Sequence, residues 1–310
     1  MNFYFQPSNK MPLGGIMLFL LGGLAAAAGL ALVYIYAVWY IPFVYINFVF
    51  CAGFGLVLGG VLMLLARGGK LRNPRAVAGL GLLVGLAAVY LEWGVFLTLL
   101  FNSETTGTGA AADTSTSFSF RLFATVLSHP AQIAAALVDI NNTGTWSLRH
   151  STPATGIFLW LVWVVEAVFI VGGAYLLAGA SADEPFSETA NEWAEEETLA
   201  HPLAYATEKA ATRLALESGQ FQHLTPHLGG TELGQFARLK LHRAPNDANC
   251  NFLTFENVTR SLNSKGKTEE TASQIVQYLA VSPATCNDLK RRFGTAPPEA
   301  VPQQPSALAL

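Results

Sequence analysis

Between Met11 and Phe101 the chain has one acidic residue, Glu92. Over the whole sequence only 13% of residues are charged, while 52% are apolar or aromatic. A soluble protein of this length would need more charge to cover its surface. Cysteine is also scarce. Cys51 lies inside an apolar run and Cys250 and Cys286 lie in the charged C-terminal part, so no disulfide framework is implied. No block of Lys or Arg occurs and the net charge is −3, which argues against a nucleic-acid surface. Walker A, kinase, nucleophile-elbow and His-Glu-x2-His patterns are all missing.

What the sequence does have is hydrophobic length. Crossing a hydrocarbon core of ~30 Å takes about 20 apolar residues in a helix. Four stretches qualify: Pro12–Val38, Phe43–Ala66, Ala76–Phe101 and Gly156–Gly179. Inside lipid their backbone polar groups must be satisfied within the helix. Ala25–Ala28 look like a signal-peptide cleavage site. However, the apolar run continues through Leu30, Val33, Ile35 and Val38 to Trp39 and Tyr40, which reads as a whole span ending at an interface belt.

Short loops give the orientation. Arg67, Lys70, Arg72 and Arg75 crowd the link between spans two and three, and Lys10 precedes span one. The link around Tyr40–Pro42 carries no charge, and the third loop has only Arg121 and Arg149 as fixed cations. The positive-inside rule predicts both termini in the cytoplasm of a cell (inner) membrane.

Helices in lipid associate through small residues and interhelical hydrogen bonds. Gly15, Gly22 and Gly29 recur at sevens in span one. Gly55 and Gly59 lie four apart in span two, and Gly81 and Gly85 in span three; Gly172 and Gly173 sit in span four. These are the expected packing positions, within one bundle or between copies.

Glu92 and Glu166 interrupt apolar spans, and an ionisable group there is costly enough to suggest function. Both lie about 14 Å below the outer surface, near the midplane. Glu92 shares a stripe with Gly81, Gly85 and Ala88, so it should face the bundle. No Lys or Arg lies within a span, so each carboxylate must be protonated, share a proton, bind a cation or meet water. The bland alternative is a pair of neutral acids that lock the helices by bonding Trp93, Trp163, Tyr90, Asn47 or a backbone carbonyl. Glu92, Glu166 and Asn47 form the candidate polar or ion site.

Asn102–Ser117, rich in Thr, Ser and Gly, reads as disordered. Phe118–Leu148 reads as two short amphipathic helices broken at His129-Pro130, lying on or capping the outer face. His129 and His150 lack a third ligand for a metal.

After span four an acidic run (Asp183, Glu184, Glu188, Glu192, Glu195, Glu196, Glu197) reads as a solvated linker or helix face, with cation binding or docking on a basic partner as the alternative. A helix is expected at Leu203–Ser218, a β-hairpin from Gln235–His242 and Asn251–Thr259, a strand at Ser273–Val281 and a helix at Ala284–Arg292. The fold class is thus a membrane all-α four-helix bundle followed by a small α+β domain over 180–296, with a disordered tail over 297–310. His223-x3-His227 has metal-ligand spacing, but Pro226 breaks the helix that would align it. Gly229-Gly230 with Gly234 lacks the context of a nucleotide loop.

Tyr40-Ile41-Pro42-Phe43-Val44-Tyr45-Ile46-Asn47 opening span two, Asn142-x-Gly144-Thr145-Trp146 before span four, and Pro185-Phe186 after it are similar to features of uncharacterised four-pass bacterial integral membrane proteins. That resemblance covers most of the chain and implies the same architecture, with no known activity. Some such proteins carry a Cys-x2-Cys after the Pro-Phe; here Ser187 and Ala190 stand there, so the zinc or redox site it implies is absent.

The expectation is a non-enzymatic protein that anchors a cytoplasmic interaction or sensing domain. No cofactor or metal is implied. Its partners would be membrane lipid, further copies of itself and a cytoplasmic protein, and no nucleic acid. The alternative is a proton- or cation-coupled transporter or channel component using the carboxylate pair.

Overall fold

The computed structural model describes residues 3–41, 44–106, 113–144, 154–228 and 234–294. The chain divides into two compact units. Pro7–Asp183 makes one; Met1–Gln6 together with Glu184–Leu310 makes the other.

In the first unit, helices α1 (Leu13–Tyr40), α2 (Val44–Gly68) and α3 (Pro74–Phe101) follow one another. A hairpin of β1 (Ser103–Thr106) and β2 (Asp113–Thr116) comes next, then α4 (Phe120–Leu127), α5 (Pro130–Thr143) and α6 (Gly156–Ala178). Four of these helices, α1, α2, α3 and α6, are long and apolar enough to cross a membrane. Helix starts follow local chemistry. Asn73 caps α3 by accepting from the Ala76 amide at 3.0 Å, with Pro74 at the first helical position, where its missing N–H costs nothing.

Helix α1 packs on α2 and α3, and α6 packs on the same two, so α1 and α6 face each other across the bundle. Glycine permits this closeness. A Cβ at Gly55 would come within 2.2 Å of the Phe169 carbonyl oxygen, and one at Gly59 within 2.3 Å of that of Gly173. Gly81 and Gly85 meet Ala174 and Val171 of α6 in the same way. On α1, Gly15 lies against Gly69, and Gly22 against Leu65. Gly29 departs from expectation: no atom lies within 4 Å of where its Cβ would be. The α1 contact line runs instead at fours through Gly15, Phe19, Gly23, Ala27 and Ala31, all buried. Two seven-residue steps turn back by about 40° on a straight helix while the row at fours turns forward by about 40° a step, so by Gly29 the two have parted.

The outward faces keep Val33, Leu64, Leu83 and Val168 more than half exposed. Before α1, the Asn9 amide donates to the Arg72 carbonyl (3.1 Å) and the Arg72 amide to that of Lys10 (3.0 Å), tying the entry segment to the basic α2–α3 link. Of the Asn102–Ser117 stretch expected to be disordered, the described flanks Ser103–Thr106 and Asp113–Thr116 pair as β1 and β2; β-branched threonines favour strands. Helices α4 and α5 form where expected and meet at an angle of 96°.

The second unit is a four-stranded antiparallel sheet in the order β5 (Glu195–Thr198), β6 (Gly234–Arg243), β7 (Asn251–Leu262), β8 (Thr268–Ala280). A small hairpin, β3 (Phe186–Ser187) with β4 (Glu192–Trp193), precedes it. Helices α7 (Lys209–Glu217) and α8 (Pro283–Phe293) supply Leu216, Cys286, Leu289 and Phe293 to a core with Leu239, Leu241, Leu253 and Phe255. Two expectations are corrected here. The acidic run is no linker: Glu192 lies in β4 and Glu195–Glu197 in β5, where Lys240 and Lys290 offset their charge. The expected helix from Leu203 begins only at Lys209, because Leu203 and Ala237 exchange backbone bonds at 2.7 Å and the Asn257 side chain holds the Ala206 backbone.

Phe3–Phe5 join this unit. Tyr4 bridges Leu279, the Phe5 amide donates to the Tyr278 carbonyl at 2.9 Å, and the Ala280 amide donates to that of Phe3 at 2.7 Å. Phe5 packs edge-on against Phe252 (5.2 Å), and the Tyr4 hydroxyl donates to Glu217. Pro42 and Phe43, Thr145, Trp146, Arg149 and His150, Gly229-Gly230 and the tail over 297–310 lie outside the described residues.

Candidate functional site

A buried polar cluster takes one side chain from each of the four long helices: Tyr34 from α1, Cys51 from α2, Glu92 from α3 and Glu166 from α6. Each is set by helical geometry. Tyr34 continues the α1 contact face past Ala27 and Ala31, and Glu92 continues the α3 stripe of Gly81, Gly85 and Ala88.

Cys51 Sγ donates to the backbone carbonyl of Glu166 at 3.1 Å. The Tyr34 side chain of α1 lies near Cys51 and near Glu166 of α6. Glu92 is 6% exposed, and the Glu166 carboxylate is near enough to act on its charge. Glu166 itself is half-buried. One acid therefore sits inside the bundle while the other reaches its edge.

Glu166 is near enough to Glu92 to act on its charge, and two of the expected partners have other contacts. Tyr90 donates instead to the Leu127 carbonyl at 2.6 Å, and Trp93 stacks edge-on with Trp163 at 4.9 Å. Asn47 lies one helical turn from Cys51 on α2, and its Oδ1 is buried without a hydrogen-bond partner. Tyr34 and Cys51 were missed because each lies inside a long apolar run whose inward face the sequence does not mark. The available signal was that a Tyr deep in a span needs a partner for its hydroxyl.

Towards the C-terminal end of α3, α4 covers it. A Cβ at Gly94 would meet Leu127 at 2.5 Å, and Leu97, Val126 and Ile133 form a small apolar core with Trp93 packed against it.

The second unit offers less. His223 lines an open cleft of about 220 Å³ with Leu203, Tyr205, Glu208 and Phe255, while His227 turns its ring toward Phe236 at 6.3 Å. Among the described residues no three His, Cys, Asp or Glu side chains converge as a metal site requires. Burial pushes the Cys250 thiol up to about 11 and raises Cys286, which favours the protonated thiol in both. Ser187 donates to Asp247 Oδ2 at 2.6 Å and accepts from the Ala190 amide at 3.0 Å, a hydrogen-bonded clasp where the resemblance would put a Cys-x2-Cys. On the sheet, Glu256 is buried between Arg238 (3.2 Å) and Lys240 (3.6 Å), and Arg238 also holds Glu270 at 2.6 Å. These charges neutralise one another, which describes a structural network.

No family model, curated protein or solved structure matches the chain. Function is therefore argued from this geometry alone.

Proposed function

We propose that the protein is a non-enzymatic integral membrane protein whose four-helix bundle anchors the α+β unit at the cytoplasmic face of a cell membrane. The observation that carries this reading is the sheet position of Phe3–Phe5. One folded unit contains both the segment before the first long helix and the segment after the last. An even number of crossings returns the chain to the side it left, so this pairing fits four spans and two ends on one side. The basic Arg67–Arg75 link and Lys10 support the cytoplasmic assignment. Exposed Val33, Leu64, Leu83 and Val168 support lipid as the bundle's solvent, since in water that belt would drive aggregation.

In this reading the carboxyl cluster holds the helices in register, and the α+β unit is the part that meets a cytoplasmic protein. Self-association through an outward helix face is compatible with it. The carboxyl pair itself favours a second reading, a proton- or cation-coupled pathway. Reconstitution separates the two. An anchor gives no proton or cation flux above protein-free liposomes, and Glu92→Gln and Glu166→Gln then change only thermal stability in detergent. A flux that either substitution abolishes while the protein stays folded would overturn the anchor.

A further inference from the structure

The join between the N-terminal strand and β8 is built round a buried histidine. Between the pairs Leu253–Leu279 and Phe255–Val276, β7 has one residue, Thr254, and β8 has two, Gln277 and Tyr278. The extra residue makes a bulge in which Tyr278 takes a φ of 55°, a costly conformation for an aromatic residue. Thr254 holds it there, because its Oγ1 accepts from the Tyr278 amide at 3.3 Å and lies 3.1 Å from His242 Nε2. The His242 ring is 5% exposed and meets the Tyr278 ring edge-on at 4.9 Å. Tyr278 in turn carries the strand: its carbonyl accepts from the Phe5 amide at 2.9 Å and its ring packs on that of Phe5. Imidazole, hydroxyl, bulge and strand are therefore one chain of contacts.

A charged imidazole is disfavoured in this place. Glu196 lies across from His242 on β5, but Lys240 of β6 holds that carboxylate at 3.2 Å. Lys240 and Arg238, two and four residues before His242 on the same face, are cations themselves, and Glu256 of β7 is bound to both. Phe252, across on β7, has no charge, and Tyr278 of β8 brings a phenol. In the neutral ring with its proton on Nδ1, Nε2 accepts from the Thr254 hydroxyl. Protonation turns Nε2 into a donor and leaves the hydroxyl proton without that acceptor. We propose that His242 is a proton-operated latch for the N-terminal strand: uptake of a proton by its imidazole breaks the Thr254 link to the Tyr278 bulge and frees Phe3–Phe5 from the edge of β8. Burial holds the imidazole below its ordinary value, with Glu196 opposing and Lys240 adding to the effect. Opening the strand lets water reach the ring, so the open form takes the proton first. The closed form is fully favoured above about pH 6.5 and is lost as pH falls toward the lower closed value. The strand leaves before the sheet parts, because two backbone hydrogen bonds tie it to β8 whereas β6 pairs with β7 along its whole length. This goes beyond the anchor reading, which needs the strand in place but assigns it no movement.

Hydrogen exchange on full-length protein in detergent tests it, read between about pH 7.5 and about pH 5.5, with each rate divided by that of the unstructured amide at the same pH. The Phe5 and Ala280 amides should lose protection by up to about tenfold per pH unit below about 6.5, the limit for one proton. The β6–β7 amides around Leu253 and Phe255 should keep theirs. His242→Gln, which puts a neutral amide beside Thr254, should hold the strand closed across the range. Thr254→Val should lower the protection of Phe5 and Ala280 at neutral pH, and Thr254→Ser should restore both the protection and its pH profile. An equal loss at Leu253 and Phe255 overturns the proposal, because His242 would then govern only the unit as a whole. So does protection that does not change with pH, or a change that survives in His242→Gln. If His242→Gln does not fold, the Thr254 pair decides, and equal protection in Thr254→Val and Thr254→Ser refutes the latch. Phe5 and Ala280 amides that are unprotected even at neutral pH refute the strand's place, and the anchor reading falls with it; each of the other failures leaves the anchor standing.

Discussion

Replacing Phe5 by alanine removes a side chain that only the folded α+β unit uses. Phe5 is half-buried and packs edge-on on Phe252 at 5.2 Å and on Tyr278 at 6.4 Å. Full burial of a Phe contributes about 1.5–3 kcal/mol, so half-burial gives about 1 kcal/mol, and the aromatic pairs add about another 1 kcal/mol. The backbone bonds of Phe3 and Phe5 are left in place but lose the packing that shields them. A loss of about 2 kcal/mol raises the population with an open edge about thirtyfold. Hydrogen exchange read by mass spectrometry on full-length protein in detergent measures this directly. The Ala280 amide, which donates to the Phe3 carbonyl, should exchange about thirtyfold faster. The β6–β7 pairing around Leu253 and Phe255 should keep its protection, since both residues are buried in the core on their own account. Unchanged exchange at Ala280 would mean that the N-terminal strand does not complete the sheet, and the chief support for the anchor would go with it.

Two glycines with opposite surroundings should respond in opposite ways. Gly55→Ala would force a Cβ within 2.2 Å of the Phe169 carbonyl and should lower the thermal midpoint in detergent markedly, whereas Gly29→Ala meets nothing within 4 Å and should raise it slightly through helix propensity. His242 gives the α+β unit a pH dependence. Burial holds it below its ordinary value, with Glu196 opposing and Lys240 adding to the effect. The unfolded chain therefore takes up this proton first. Stability from the neutral imidazole is complete above the unfolded value of about 6.5 and is lost as pH falls toward the lower folded value. Chemical denaturation at a series of pH values should show that loss, and His242→Gln should flatten it. Ser187→Ala should loosen the clasp on Asp247 and let its carboxyl, held below the usual range chiefly by that hydrogen bond, rise toward it. Faster limited proteolysis near Asp247 would report the loosening.

Hydrophobic length made the long helices legible, because a 28-residue apolar run such as Leu13–Tyr40 admits few alternatives. The β6–β7 hairpin was readable from alternation, and α8 from Ser282 followed by Pro283. What escaped depends on contacts far apart in sequence. Phe3–Phe5 are too few residues to register as a strand until Tyr278 and Ala280 pair with them. The glutamates of β5 look like linker because an edge strand can carry charge on both faces. At the candidate site, matched depth pointed to Glu92 and Glu166. Tyr34 could not be assigned, because which residues of α1 face inward depends on a contact row at fours that the glycines at sevens obscure.

The most direct test of the account places each segment relative to the membrane. The native cysteines are buried, so single cysteines can be introduced at the exposed positions Arg75, Ser115 and Lys265 without removing them. A membrane-impermeant maleimide applied to intact cells should label Ser115→Cys, and should reach Arg75→Cys and Lys265→Cys only after permeabilisation. Labelling of Arg75→Cys from outside, or of Arg75→Cys and Lys265→Cys from opposite sides, would contradict the anchored arrangement.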